Sequence, residues 1–362
     1  MKTNSRNESG KKGDSVKTNS RNESGKKGGS VKTNNKKRIS KKEDGMKKVG
    51  KKSIGAASAA KKYGYSVSGK GIVSDVRYVV FEDVFASNPG GDFDNGNRPK
   101  TFNNARGQMG EISDVTLKRG IRDWVLYEKD GVPGMGIFVQ AQRPLDSVIR
   151  NQIGKRKDVD LVKEMCRELF DVRTHGAVLI GGRDSGSENA EGEGGEEDSG
   201  KSKNVGTGIT GPVVVEDAVS LDPVEITDRT LTRIAPTNTK RGNHSVGRRS
   251  FIRYARYRFG VYVEGFRAKQ TGFTYKDLEV LEGALKDVYR YRRSAARPNI
   301  RTTAVYKIEP VDPKSTNSMA MDEAMDRIQC SKVKGAGEYL DAGSYVFPEP
   351  FKTKFVRVTR IK

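Results

Sequence analysis

From Gly71 onward the apolar residues change period several times, and the order of those changes restricts the fold more than any other feature. Gly71–Ser87 (GIVSDVRYVVFEDVFAS) is β-branched and aromatic, the pattern of a strand. A loop follows from Pro89-Gly90-Gly91 to Pro99. Ser113 is placed to cap a helix running to about Tyr127. Its Leu117, Ile121, Trp124 and Val125 follow the i, i+4, i+7, i+8 spacing of one buried face. Gly136–Ala141 reads as a short strand, and Asp160–Phe170 as a helix with Val162, Met165, Cys166 and Leu169 on one side. Ala177–Ile180 and Pro212–Val215 are short apolar strands. Thr274 and Asp277 make a capping-box pair at the start of a helix whose seam is Leu278, Leu281, Leu285 and Val288. Arg290, Arg292 and Arg293 crowd its C-terminal end, where cations suit the helix dipole. A strand over 299–309, a helix near 319–329 and a strand near 354–361 follow. Strand, helix, strands, helix, strand is a βαββαβ order, which points to an α+β chain with a ferredoxin-like core and insertions.

The first 62 residues stand outside that pattern. Lys2–Val16 reads KTNSRNESGKKGDSV, and Lys17–Val31 repeats it with Gly29 in place of Asp14. A third copy begins at Lys32 and breaks down after Asn34. The period has no apolar face, so residues 1–62 are expected to form a disordered tail, with one domain over 63–362. A second low-complexity run, Arg183–Asn204, has seven acidic and three basic residues and reads as a flexible surface insertion turned away from any bound polyanion.

Charge follows the same division. Residues 1–62 hold 20 Lys/Arg and 5 Asp/Glu, a net of +15, and the other 300 positions hold 48 and 41, a net of +7. A field of this sign attracts nucleic acid or an anionic membrane. The tail is either an electrostatic arm for phosphates or a solubilising extension, and its charge alone does not decide which. No stretch reaches the roughly 18 apolar residues that span a bilayer. No signal-type segment opens the chain, so a cytoplasmic protein without a membrane partner is expected. Cys166 and Cys330 lie in separate patterns, which argues against a disulfide. Neither His175 nor His244 has Cys or His at ligand spacing, so no metal or other cofactor is expected.

Two basic constellations are candidates for binding. Lys118 and Arg122 are one helical turn apart, Arg119 is beside them, and Arg98 and Lys100 lie in the loop before that helix. This is either a phosphate-gripping surface or an ordinary solvated face. The second is Arg248–Lys269 (RRSFIRYARYRFGVYVEGFRAK), where Arg residues interleave with Phe251, Tyr254, Tyr257, Phe259 and Tyr262. The aromatics could stack on unpaired bases or fill a core. Arg233, Lys240 and Arg241 belong to a polar stretch that could protrude as a loop. Asp92 and Asp94 are the only paired carboxylates in a Gly-rich loop. They could hold Mg²⁺ for phosphodiester cleavage, but turn chemistry accounts for them without it. No Ser/His/Asp or Cys/His signature is present, and His175 reads as structural.

In order along the chain, several segments resemble the Cas-seven family, most closely its type I-C and I-B members. They are NPGGDFDNGNRPKT, GEISDVTLKRGIRDWV, FDVRTHGAVL, GPVVVEDAVSLDP, ITDRTLTRIAP, SVGRRSFIRYARYRFGVYV, TGFTYKDLEVLEGAL and RSAARPN. The resemblance covers about residues 72–310. It implies an RRM-like palm with an inserted finger or helical region and a thumb hairpin within about 225–250. It also implies a non-catalytic backbone subunit of a type I CRISPR Cascade complex, bound to crRNA. Copies would line up head to tail along the guide beside other Cascade subunits, and the guide would pair with a target DNA strand. By motif, Lys118 and Arg119 would contact the guide backbone, with Arg122, Arg98 and Lys100 beside them and Arg233 and Arg249 in the thumb. The related type III subunits use an early-loop Asp to cut RNA, so a ribonuclease using Asp92 or Asp94 is the enzyme alternative. A general single-strand RNA-binding protein is the other. His175 stands where the family usually has an aromatic, and the basic tail and the 183–204 run are additions to its pattern.

Overall fold

The first strand is apolar without alternation because both of its faces are covered. The computed structural model describes residues 71, 74–152, 161–179, 207–233, 245–335, 337 and 340–362. The basic tail, the acidic run 183–204, Lys240, Arg241 and His244 lie outside the described residues. In chain order the strands are β1 (Val76–Ser87), β2 (Gly91–Asp92), β3 (Arg98–Pro99), β4 (Thr101–Asn104), β5 (Gly107–Ile112), β6 (Gly176–Leu179), β7 (Thr207–Thr210) and β8 (Val213–Val215). They continue with β9 (Ala218–Pro223), β10 (Ile226–Arg233), β11 (Ser245–Val263), β12 (Ile300–Pro310), β13 (Ser331–Lys332), β14 (Tyr345–Val346) and β15 (Val356–Arg360). The helices are α1 (Asp114–Glu128), α2 (Leu145–Gln152), α3 (Leu161–Glu168), α4 (Phe170–His175), α5 (Gly265–Thr271), α6 (Tyr275–Leu285) and α7 (Ser318–Arg327).

The large sheet runs β15-β12-β1-β11-β9-β5-β4, with β8 and β10 also paired to β11, and its ladders are antiparallel. β1 is central: Val80 faces Phe259 on one side and Val305 on the other. Val76, Tyr78, Val80 and Val84 join the cluster that holds Leu117, Ile121 and Val125 of α1 and Leu278, Leu281 and Leu285 of α6. Val79 and Phe81 point the other way, into Met321, Ala324 and Met325 of α7 and Val356 and Val358 of β15. Each fully buried side chain of this size contributes about 1.5–3 kcal/mol over its exposed state. Taken through β1, α1, β9, β11, α6 and β12, the chain is strand, helix, strand, strand, helix, strand with neighbours β12-β1-β11-β9. The α+β reading of the sequence holds, and α2–α4 with the β6–β7 hairpin form the insertion after α1.

Local signals are kept at some helix ends and replaced at others. The Thr274–Asp277 capping box is present: the Thr274 N–H donates to Asp277 Oδ2 at 2.8 Å, and the Asp277 N–H to Thr274 Oγ1 at 3.3 Å. Ser113 makes no side-chain cap. Asp217 reaches in from β9's leading loop and accepts the Asp114 N–H at 2.6 Å, while Ser113 Oγ meets Thr116 Oγ1 at 3.1 Å. Gly136–Ala141 is not a strand: Asp171 accepts the N–H groups of Phe138 and Val139 at 2.7 and 3.0 Å, so these donors are lost to a ladder. The expected 160–170 helix breaks at Leu169 into α3 and α4, and α6 ends at Leu285, leaving Val288 buried in the turn beyond it.

Two glycines let α1 and its partners approach closely. A Cβ on Gly120 would lie 2.5 Å from Val288 Cγ1 and 2.6 Å from Val288 O, and one on Gly283 would lie 2.7 Å from Trp124 Cη2. Gly120→Ala is therefore expected to destabilise by about 1–2 kcal/mol, because overpacking against a backbone carbonyl outweighs the helix propensity gained. Thermal unfolding of the variant checks this, and a raised melting temperature would count against it.

Candidate nucleic-acid interface

The loop before α1 is built by its own polar groups. Asn97 N–H donates to Asp92 O at 2.7 Å, Asn88 Nδ2 to Asn97 O at 2.7 Å, and Lys100 N–H to Gly90 O at 3.0 Å. Tyr289 holds the loop from below, its hydroxyl donating to Pro89 O at 3.0 Å. The turn leaves Phe93 91% exposed at its tip. Asp92 and Asp94 sit in this turn, as Asp does in such loops. Among the described residues no three His, Cys, Asp or Glu side chains gather as a metal cluster would require. Arg98 emerges at the loop's base and donates to Asp228 Oδ2 at 2.9 Å, with Arg248 3.9 Å from the same oxygen. The Ser250 hydrogen bond, then Arg98 and Arg248, hold the Asp228 carboxyl below its usual range.

The three α1 cations do not act together. Lys118 Nζ pairs with Asp114 at 2.7 Å and Arg119 Nε with Asp123 at 2.8 Å, each one turn away. Their side chains keep 23% and 32% exposure. Such one-turn pairs contribute only about 0.3–0.5 kcal/mol, so a phosphate can replace the carboxylate. Arg122 is different. It donates to Asp171 Oδ2 at 2.9 Å, and Asp171 is 1% exposed. Asp171 also carries the N–H groups of Phe138 and Val139, so Arg122 takes part in a buried structural ion pair. Lys118 and Arg122 flank His175, whereas Arg119 faces Arg292.

His175 is a neutral imidazole near pH 7. Burial, with Arg122 and Lys118 adding repulsion, pushes its imidazole down to about 3. Nδ1 lies 3.4 Å from Val213 O and Nε2 is buried without a partner. The residue is partly exposed by area, but Nε2 is covered and Nδ1 faces the Val213 carbonyl, and it is the nitrogens that govern protonation. Burial of the Cys330 thiol raises it to about 11, so it is a thiol at neutral pH.

The hairpin of β10 and β11 supplies the third group. Arg249 donates to Ala295 O at 2.9 Å, and Arg229 stacks 4.2 Å from the centre of the Phe251 ring. Arg233 pairs in register with Ser245 at the end of the described hairpin. The aromatics interleaved here are mostly interior: Phe251, Tyr257 and Phe259 are buried, and Tyr262 donates to Glu216 at 2.6 Å. Burial of Phe251, Tyr257 and Phe259 and the bond of Tyr262 to Glu216 give these rings a core and hydrogen-bonding role in place of stacking.

One segment joins the three groups. Arg292 Nη1 donates to Thr116 O at 2.5 Å, Ala295 O accepts from Arg249, Ala296 O from the Asn88 N–H at 2.8 Å, and Asn299 O from the Phe85 N–H at 3.0 Å. Residues 290–299 thereby tie the loop, the N-terminal half of α1 and the hairpin base to one region that carries Arg98, Lys100, Arg119, Arg248 and Arg249, with Arg292, Arg293 and Arg297 added. The RSAARPN motif marked this segment in the sequence. Arg290, Arg292 and Arg293 read there as helix-end cations, and Arg297 carried no reading beyond the motif itself.

Comparison with known proteins bears on this arrangement. The family model of the CRISPR-associated protein Cas7 matches residues 74–343. A solved "CRISPR RNA-guided surveillance complex, pre-nicking" is similar at 11% identity and a TM-score of 0.39, over 68% of this chain and 82% of that one. A "CRISPR RNA-guided surveillance complex" is similar at 14% identity and a TM-score of 0.37, over 69% and 75%. No curated protein matches. Among the described residues no helix is long and apolar enough to cross a membrane. Because the family match spans well over half of the 362 residues, the chain belongs to the CRISPR-associated protein Cas7 family.

Proposed function

We propose that this protein is a guide-RNA-binding backbone subunit of a type I CRISPR surveillance complex, acting by binding and assembly without catalysis. The reading rests on family membership together with one observation: the loop before α1, the exposed flank of α1 and the base of the β10–β11 hairpin converge on one basic region. Phosphate contacts there hold the RNA by its backbone and leave its bases to pair with a target strand. Arg119, Arg98, Lys100 and Arg249 are the contacts there, with Lys118 and Arg122 on the adjoining flank of α1 and Arg233 further along the hairpin. In this reading the central strands and two helices are an RRM-like palm, the insertion after α1 is the finger, and β10–β11 form the thumb. Residues 63–362 act as one domain, the basic tail adds non-specific attraction for RNA, and copies assemble head to tail along the guide with other subunits of the complex.

Sequencing the RNA that co-purifies with the protein from its native host tests this. Discrete species carrying CRISPR repeat fragments and spacers are the expected result. Heterogeneous cellular RNA without spacer enrichment, despite an active array, would replace this reading with that of a general single-strand RNA-binding protein.

A further inference from the structure

The Arg290–Asn299 segment carries more positive charge than its surroundings neutralise. Arg292 is 14% exposed, and its nearest carboxylate oxygen, on Asp123, is 3.9 Å away. Asp123 already accepts from Arg119 Nε at 2.8 Å. The turn closed by Arg297 N–H to Ser294 O, 3.0 Å, brings Arg297 back beside Arg292 and Tyr289. Arg297 Nε is buried and has no hydrogen-bond partner, and the Arg297 guanidinium has no ion pair among the described residues. Other carboxyls do not relieve it. Burial raises Glu82 to about 8, so it is neutral at pH 7. Asp287 and Glu128 face Arg290, at 4.0 and 3.5 Å. Arg119 and Arg292 thus share one carboxylate, and Arg297 beside them has none. Burial first, then the nearness of Arg297 and Arg119, lowers the pKa of Arg292. Leaving a buried guanidinium donor without an acceptor is costly, and a tetrahedral oxyanion supplies several acceptors with the matching charge.

We propose that Arg292 and Arg297, with Arg119, form a pocket for one phosphate of the RNA backbone, an assignment that rests on the RNA-binding function proposed above. The pocket lies where Arg292 is anchored to Thr116 O, so the bound phosphate would sit at the N-terminal half of α1. The segment from helix end to strand then works as a phosphate clamp as well as a connection.

Arg297→Gln is the decisive variant, because its guanidinium has no hydrogen bond at Nε and no ion pair among the described residues for the fold to lose. The full-length protein is titrated with a synthetic single-stranded guide RNA over a series of salt concentrations. Arg297→Gln is expected to weaken binding by about tenfold and to reduce the salt slope by about 0.7. The melting temperature of the RNA-free variant is expected to be unchanged or higher, since a repulsive charge has gone. Arg290→Gln, which removes a cation already paired, is expected to keep wild-type affinity. Wild-type affinity and slope in Arg297→Gln, while a Lys118→Ala/Arg119→Ala variant binds weakly, would overturn the pocket and leave the RNA-binding function standing. A lower melting temperature with an unchanged slope would make Arg297 structural and also overturn the pocket. A wild-type protein that binds no RNA would overturn the function itself.

Discussion

Arg173→Ala is expected to cost about 3–5 kcal/mol of folding stability, because it leaves a buried carboxylate without its charge partner. Arg173 and Asp277 are 1% and 2% exposed. Arg173 Nη2 donates to Asp277 Oδ1 at 2.6 Å and Nε to Oδ2 at 3.2 Å. The same guanidinium donates to Gly134 O at 2.9 Å and Cys166 O at 2.7 Å. One side chain therefore links α3, the turn before Gly136 and the capped start of α6. Its removal takes a donor from the carbonyls of Gly134, Cys166 and Arg167 as well as from the carboxylate, and each group left unpaired adds about 1–3 kcal/mol of unpaid desolvation. Arg173→Met combined with Asp277→Asn should cost less than the two single changes added together, because the second removes the charge the first strands. Urea unfolding of Arg173→Ala and of the four proteins of the Arg173→Met/Asp277→Asn cycle measures this; a loss below about 1 kcal/mol for Arg173→Ala, or strict additivity in the cycle, would show that the pair is not the anchor described.

The second large effect is on pH dependence, where two buried groups act with opposite sign. Glu82 is fully buried, accepts from Thr302 Oγ1 at 3.4 Å, and is raised by burial to about 8 from 4.5. Between those values the unfolded chain has released the proton and the folded chain keeps it, so stability falls as pH rises through that window. His175 is lowered to about 3 from 6.5. Between those values the unfolded chain takes up a proton that the folded chain refuses, so stability falls as pH drops through that window. The slopes offset one another from about 4.5 to 6.5, which gives a plateau with a decline on either side. Glu82→Gln cannot ionise and is expected to be more stable than wild type at pH 8, on the order of 2 kcal/mol after allowing for an amide with an incomplete set of partners. His175→Phe is expected to flatten the acid limb. Melting temperatures at pH 4, 5.5 and 8 distinguish the two, and a wild type equally stable at pH 6.5 and 8 would refute the assignment of Glu82.

Much of the fold was legible because its signals are short-range. The Leu278, Leu281 and Leu285 seam, the Thr274–Asp277 capping box and the β-branched runs at Val76–Ser87 and Ile300–Pro310 each report a period or a cap within a few residues, and each element forms where its pattern indicates. The candidate site was legible only as composition. Lys118, Arg119 and Arg122 look equivalent along α1, yet one faces Asp114, one Asp123 and one the buried Asp171. Asp171 lies 49 positions from Arg122, and no helical spacing points to it. The aromatics of β11 were ambiguous for a related reason. Tyr257 and Phe259 enter the core while Tyr254 and Tyr262 on the other face bond to Asp83 and Glu216, carboxylates that come from distant segments.

The sequence by itself determined the element order, the α+β class, the excess of cations and, through motifs quoted along most of the folded body, the family. Periodicity, caps and motif order are properties of residues near one another in the chain. The tertiary structure decided which cations are free. Arg122 pairs with Asp171, Asp217 replaces Ser113 as the cap of α1, and Arg297 comes to rest beside Arg292 without an acid of its own. Whether a charge is matched depends on carboxylates that arrive from distant segments, and distance along the chain carries no record of them.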